Sequence, residues 1–390
     1  MSRVALFEAI STIVGCVVGA GVLAIPYVVS QSGFFIGMIH LLVIGAAMLF
    51  IYLSLGEVVL RTNGKHQLTG YAEKYLGTWG KRAMLFSMIF GMYGALTAYL
   101  LGEGNAIKAI FGGSALWYTL GYFVIVATIV YIGLEAVERS EFLAFFIVAF
   151  IVVAIVILSL PKISLANLST INPGSMFVPY GVILFAYMGL IAVPEAREIL
   201  IHEKEKLKKA ILIGVAIPFV IYSIFTLAVV GVVSASQFSA LDQGERIATV
   251  ALGIVLGTKA AVFVNIFAIF AMFTSFIGIG LALKDMFIYD YLMHKTVAWA
   301  LTCFIPLGIA LSITLSGFTN FIDVIGISGI VAGGVEGVVI VLMARAAKRK
   351  SERDPEYSMP MRWWIAIPLI AFFVLGVAHL GIEAVLNLLG

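Results

Sequence analysis

The sequence predicts one all-α membrane domain of eleven transmembrane helices over residues 1–390, and three observations carry that expectation. Hydrophobic residues make up 62% of the chain and charged ones only 12%, against roughly a quarter charged in soluble domains. Apolar runs of about 20 residues or more, enough to cross a hydrocarbon core, recur from end to end with short polar breaks. Two of these runs also share a hexapeptide containing Gly and Pro.

In order, the runs are 5–30, 33–60, 82–108, 115–134, 140–160, 175–200, 209–233, 259–290, 295–315, 320–345 and 362–388. Met1-Ser2-Arg3 ahead of the first run is reminiscent of a signal peptide. That run, however, continues through Gly and Pro to about Ser30 with no A-x-A-like site, and more spans follow. The third and eighth runs are long enough to tilt or to project from the bilayer. With the N-terminus in the cytoplasm, all but Lys108, Lys162, Arg246 and Lys259 of the 24 Lys and Arg residues fall on the cytoplasmic side. The positive-inside rule thus predicts a multi-pass cell-membrane protein with an extracellular C-terminus. Residues 234–258, between the seventh and eighth spans, are spaced for a short amphipathic helix over the outer face, as a lid or a passive cover.

The net charge of +3 and the confinement of the basic residues to loops give no reason to expect nucleic-acid binding. Cys16 and Cys303 lie inside apolar runs without a CxxC pair, so neither a disulfide scaffold nor a zinc site is expected. The spans carry no HExxH, Ser/His pairing or paired aspartates, and no charge rings, which argues against an intramembrane enzyme or a channel.

Gly21-Val22-Leu23-Ala24-Ile25-Pro26 in the first span is matched, 168 positions on, by Gly189-Leu190-Ile191-Ala192-Val193-Pro194 in the sixth. Gly and Pro agree, and aliphatic residues exchange only for each other. Five crossings separate the two segments, so they run in opposite directions. Paired interrupted helices of this kind mark transporters built from inverted repeats, with the binding site near the midplane. The repeats would be 5–160 and 175–345, with 362–388 as an added eleventh helix. Gly19, Gly21 and Gly189 sit near mid-span, where unwound backbone is tolerated only if it lines a cavity.

Thr12-Ile13-Val14-Gly15 running into Gly19-Ala20-Gly21-Val22-Leu23-Ala24-Ile25-Pro26-Tyr27, with Phe185-Ala186-Tyr187 in the sixth span, resembles the amino acid/auxin permease family. That family includes sodium-coupled neutral amino acid transporters and belongs to the amino acid–polyamine–organocation superfamily. The resemblance implies a LeuT-type fold and a secondary active transporter working by alternating access, with an amino acid as its substrate. The substrate carboxylate would meet free N–H groups at Gly19, Ala20 and Gly21, as anions do at helix N-termini. The ammonium would meet carbonyls around Val17 and Phe185 to Met188. The superfamily's common sodium site would map onto Thr274 and Ser275, with carbonyls of Ala271, Gly15 and Val18. Sodium is thus the expected coupling ion, with no organic cofactor. Some sodium-independent relatives place a Lys of helix five there, and Ser140 to Leu160 contains none. Proton coupling, or an amino acid sensor without turnover, remains an alternative.

By fold analogy, Tyr93, Leu96 or Thr97, Tyr187, Met188 and Phe273 would face the substrate. None is charged, which favours a neutral amino acid. Glu336 lies deep in the tenth run, where an ionisable residue is a functional candidate. A proton path and a buried polar pair account for it equally well. Arg3 could latch onto Asp285 or Asp290 at the cytoplasmic face. Glu103, Asp323, His40 and His379 receive no role.

Overall fold

A computed structural model describes residues 2–133, 150, 152–289, 291–317 and 319–389, and the described residues are helical with short connections. α1 (Ser2–Val17) and α2 (Ile25–Ser32) are joined by a bend and a 3-10 turn, Ala20–Leu23. α3 (Phe34–Leu60), α4 (Leu68–Leu76), α5 (Thr78–Phe111) and α6 (Ala115–Ile132) follow. A shorter apolar helix, α7 (Val152–Lys162), precedes α8 (Val178–Ala186) and α9 (Ala192–Ile199). Next come α10 (Leu207–Val232), α11 (Ala248–Leu256), α12 (Thr258–Tyr289) and α13 (Lys295–Ser316). α14 (Phe321–Ser328) runs through a π-helical turn, Gly329–Gly333, into α15 (Gly334–Ala347), and α16 (Trp363–Leu389) closes the chain.

Among the described residues, seven helices are long and apolar enough to cross a membrane, and the α1–α2 pair, bent by 48°, makes an eighth. The expected eleven is not matched by this count, for definite reasons. The sixth predicted span is cut into α8 and α9, each too short alone. Most of the fifth, 140–160, lies outside the described residues, leaving α7, and the eleventh is described as an apolar helix over Trp363–His379. α4 was not anticipated: its Leu68, Tyr71, Ala72 and Tyr75 recur at helical spacing and are buried, while its other face is polar.

The interrupted helices lie side by side. α1 packs on α9 and α2 packs on α8, so the first half of one span meets the second half of the other. The pair is therefore antiparallel, with its two interruptions at one level. α10 leans on α1, while α5 forms a central post touching α6, α12, α13 and α14.

At the end where basic residues gather, the connection 348–361 folds back on α3. Glu57, 2% exposed, accepts from Arg61 Nε (2.8 Å), Lys348 Nζ (2.8 Å), Ser358 Oγ (2.9 Å) and the Met359 N–H (2.6 Å). Tyr357 Oη donates to Leu53 O (2.7 Å), Arg353 to Leu60 O (2.8 Å), and Lys74 pairs with Glu352 (2.7 Å). The connection is thus a strap across the ends of α3 and α4. At the opposite end, residues 234–256 form two helices, Ala235–Ser239 with a Ser234/Gln237 capping box, and α11. Lys108–Glu245 (3.0 Å) ties this cover to α5, and Arg246 Nη1 donating to Tyr27 Oη (3.2 Å) ties it to α2.

Candidate functional site

The first interruption begins where the α-helical ladder fails. Val18 N–H still reaches Val14 O (2.7 Å), but Gly19 N–H turns to Val17 O (3.0 Å), and Val22 N–H to Gly19 O (3.4 Å) starts the 3-10 turn. Gly19 is extended, at φ −116° and ψ −158°. Two sets of backbone groups are released. The N–H groups of Ala20 and Gly21 precede the first bond of the new turn, as at any helix N-terminus. Among the described residues, no backbone N–H bonds the carbonyls of Gly15 or Val18. The sequence supplies small residues where the gap is narrow: a Cβ on Gly21 would lie 3.1 Å from Ala186 Cα.

In the sixth span, Met188 N–H closes on Phe185 O (2.9 Å) and the next bonds start at Ala192 N–H to Gly189 O (3.0 Å). Gly189 has φ +152°, a conformation side chains rarely adopt, and a Cβ there would press within 3.0 Å of Tyr52 Oη and Val17 Cγ2. Both predicted breaks are therefore present, and they touch.

Three tyrosines unnoticed in the sequence hold this junction. Tyr222 Oη, from α10, lies 2.7 Å from Val17 O and 2.8 Å from Ala186 O, bridging the two breaks with one hydroxyl proton. Tyr52 Oη, from α3, donates to Tyr187 O (3.1 Å). Tyr99, from α5, stands with Ser275 of α12 against Gly19: a Cβ on Gly19 would be 3.2 Å from Ser275 Oγ and 3.8 Å from Tyr99 Oη. The carbonyls expected to meet an ammonium at Val17 and Tyr187 thus already carry tyrosine donors. A tyrosine within an apolar run reads as ordinary core, so only the motif's polar backbone was visible beforehand.

α12 passes the first break, as the expected ion site requires. Ser275 reaches it, but Thr274 Oγ1 donates to Phe270 O and Ala271 O (both 3.1 Å), the common helix back-bonding arrangement. Phe185 and Met188 border the junction: Phe185 Cδ1 would meet a Cβ on Gly21 at 3.4 Å, and Met188 Cε one on Gly91 of α5 at 3.2 Å. The Tyr187 ring turns to α3, with its Oη donating to Leu41 O (3.4 Å), and stacks edgewise on Tyr222 at 5.5 Å.

Tyr93 and Thr97 are placed elsewhere. They line an apolar groove of about 660 Å³ with Ile309, Ile313, Ile327 and Ser328, on the face of α5 turned from the breaks. Helical geometry explains the placement: Tyr93 and Thr97 are roughly 120–160° around the helix from Tyr99, which reaches the break. Phe273 packs edgewise on Tyr122 of α6 at 6.4 Å. Glu336, 5% exposed, follows the π-helical turn within electrostatic reach of Tyr52. Asp290 and the Arg3 side chain of the proposed latch lie outside the described residues.

The model of the tryptophan/tyrosine permease family matches residues 3–379. The chain belongs to this family. The expected membership of the amino acid/auxin permease family is thereby corrected. The first-helix motif that suggested it reports a broken helix, and any chain that breaks a helix there needs Gly and Pro. This permease is 25% identical over 344 residues to "Glutamine transporter 2" of Aliivibrio fischeri, covering 84% of this chain and 85% of that protein. It is 26% identical over 386 residues to "Tyrosine-specific transport system 1" of Haemophilus influenzae, covering 94% and 93%. In fold it resembles MhsT, solved in complex with L-phenylalanine, at a TM-score of 0.69 and 16% identity over 94% of this chain and 97% of that one. The permease is thus a multi-pass membrane transporter with a LeuT-like helical fold, and not an enzyme.

Proposed function

We propose that this permease is an alternating-access carrier of a neutral amino acid, aromatic or glutamine, moved in symport with sodium. The observation that carries the reading is the pair of interruptions lying antiparallel and in contact, with the Ala20 and Gly21 N–H groups ahead of the first bond of the new turn. A zwitterion offers the complement: a carboxylate for the N–H groups and an ammonium for the carbonyls at Val17 and Ala186. The names of the relatives, for glutamine and tyrosine transport, fit a substrate without a charged side chain. Sodium would sit between the carbonyls of Gly15, Val18 and Ala271 and the hydroxyls of Thr274 and Ser275. The contact of Ser275 with Gly19 supports that placement. Topologically, the reading takes two inverted repeats of five crossings plus α16, the N-terminus and the strap in the cytoplasm, and residues 234–256 outside.

A proton-coupled version is kept on one observation, the burial of Glu336 beside Tyr52, which bonds the sixth-span break. Counterflow in proteoliposomes tests the core reading: preloaded L-tryptophan, L-tyrosine or L-glutamine should drive saturable uptake of its labelled form. Binding without exchange would instead identify a sensor. Under a sodium gradient, Ser275→Ala should abolish sodium-dependent accumulation while leaving exchange measurable. Accumulation that ignores sodium in the unaltered protein would overturn the ion assignment.

A further inference from the structure

Glu103 lies on α5 about two turns inside its end at Phe111. Its exposure is 0%, and neither carboxyl oxygen has a hydrogen-bond partner. It shares a face of α5 with Tyr99, one turn nearer the breaks. Beside it stands Tyr122 of α6, also buried and with its hydroxyl unpartnered, within electrostatic reach of both Glu103 and Tyr99. Phe273 and Phe276 of α12 press edgewise on the Tyr122 ring at 6.4 and 5.8 Å, so its surroundings are apolar.

An ionised carboxylate in such a place, unpaired and unbonded, costs several kcal/mol. The other charges of the surrounding elements are already engaged: Lys108 with Glu245, Arg246 with Tyr27, and Asp323 of α14 with Thr319 and Asn320. Among the described residues, no cation is paired with Glu103.

We propose that Glu103 is a proton-binding site, filled when the outer half of the permease closes. The inference rests on the alternating-access reading above. With the cover pinned to α5 by Lys108–Glu245, about one turn beyond Glu103, as it is here, the carboxyl holds its proton. When the cover and α2 swing away, water reaches Glu103 and the proton leaves to the outside. Closure and protonation are then linked, and the linkage is reciprocal. A substrate that closes the outer half draws in a proton, and external acidity tightens substrate binding.

Two measurements on the purified full-length permease test this. On saturation of the permease with L-tryptophan, L-tyrosine or L-glutamine at pH 8, infrared difference spectra should gain the carbonyl stretch of an undissociated carboxyl, and Glu103→Gln should lack it. Thermal stabilisation by the same ligand reports binding separately, so a failed substrate reading is distinguished from a failed proton site. The apparent affinity for L-tryptophan, L-tyrosine or L-glutamine should strengthen as external pH falls, by up to about tenfold per unit for one linked proton. Glu103→Gln, permanently neutral, should bind at the acid-limit affinity at every pH. Glu103→Met, equally neutral, serves the same purpose if the Gln variant folds poorly. A missing band, a flat profile in the unaltered protein, or a pH slope that survives in the variants would overturn the proposal.

Discussion

Gly189 shows how one residue can decide whether the sixth span breaks. Its φ of +152° and the 3.0 Å clearance to Tyr52 Oη leave no room for a methyl group. Forcing a side chain into that conformation costs about 1–3 kcal/mol, or roughly a 5- to 150-fold loss of the broken arrangement. Gly189→Ala should therefore lower uptake by that order with unchanged membrane abundance, measured as transport per unit of folded protein. Tyr222→Phe deletes the only hydroxyl given to Val17 O and Ala186 O among the described residues. Val17 O keeps the Gly19 N–H, but leaving the buried Ala186 O without a donor should lower stability by about 1–3 kcal/mol, visible as an earlier thermal transition in detergent. Sequence reasoning found Gly189 because glycine and proline are conspicuous mid-span. It passed over Tyr52, Tyr99 and Tyr222, because only long-range packing shows that these hydroxyls end on broken backbone.

At the scale of elements, the strap over α3 makes the clearest claims. Glu57→Gln would leave Arg61 and Lys348 facing a neutral amide. The expected loss is at the low end of the roughly 3–5 kcal/mol for breaking a buried pair, since Lys348 keeps some water. Thermal unfolding of the variant checks it. Glu352, at the strap's exposed edge, is held below the ordinary carboxylate range by Lys74 and by the Asn63 N–H. A depressed carboxyl contributes stability that is complete above its unfolded-state value of 4.5 and is lost as pH falls through the folded one. Limited proteolysis within 351–361 should accelerate on acidification below pH 4.5, and Glu352→Gln should show the faster rate at neutral pH. Neither α4 nor the strap was legible beforehand, because their polar sequences read as loop. The face that α5 turns to the breaks was equally hidden, since Leu and Ala ring the whole helix and leave periodicity nothing to resolve. Sequence reasoning therefore had no means of separating Tyr93 and Thr97, which line the groove with Ile309 and Ile313, from Tyr99, which reaches the first break.

For the whole molecule, the distribution of Lys and Arg predicts that the strap faces the cytoplasm. After replacement of Cys16 and Cys303, a cysteine at Ser351 should react with an impermeant maleimide only in inverted vesicles, and one at Ser164 only in right-side-out vesicles. The reverse pattern would invert the topology. The global architecture was readable because bilayer thickness leaves few choices of element, and because two breaks at matching positions constrain direction. The family was not, because a broken helix imposes the same small residues wherever it occurs. Tyr222 draws the two levels together. Its single hydrogen lies between two oxygens on different chain segments; Val17 O also accepts the Gly19 N–H (3.0 Å), so whenever the hydroxyl turns to Val17 it is Ala186 O that is short of a donor. An arriving amine brings three hydrogens to a place owed one. Affinity for the amino group can thus arise from a shortfall in the empty protein, with no acidic side chain required.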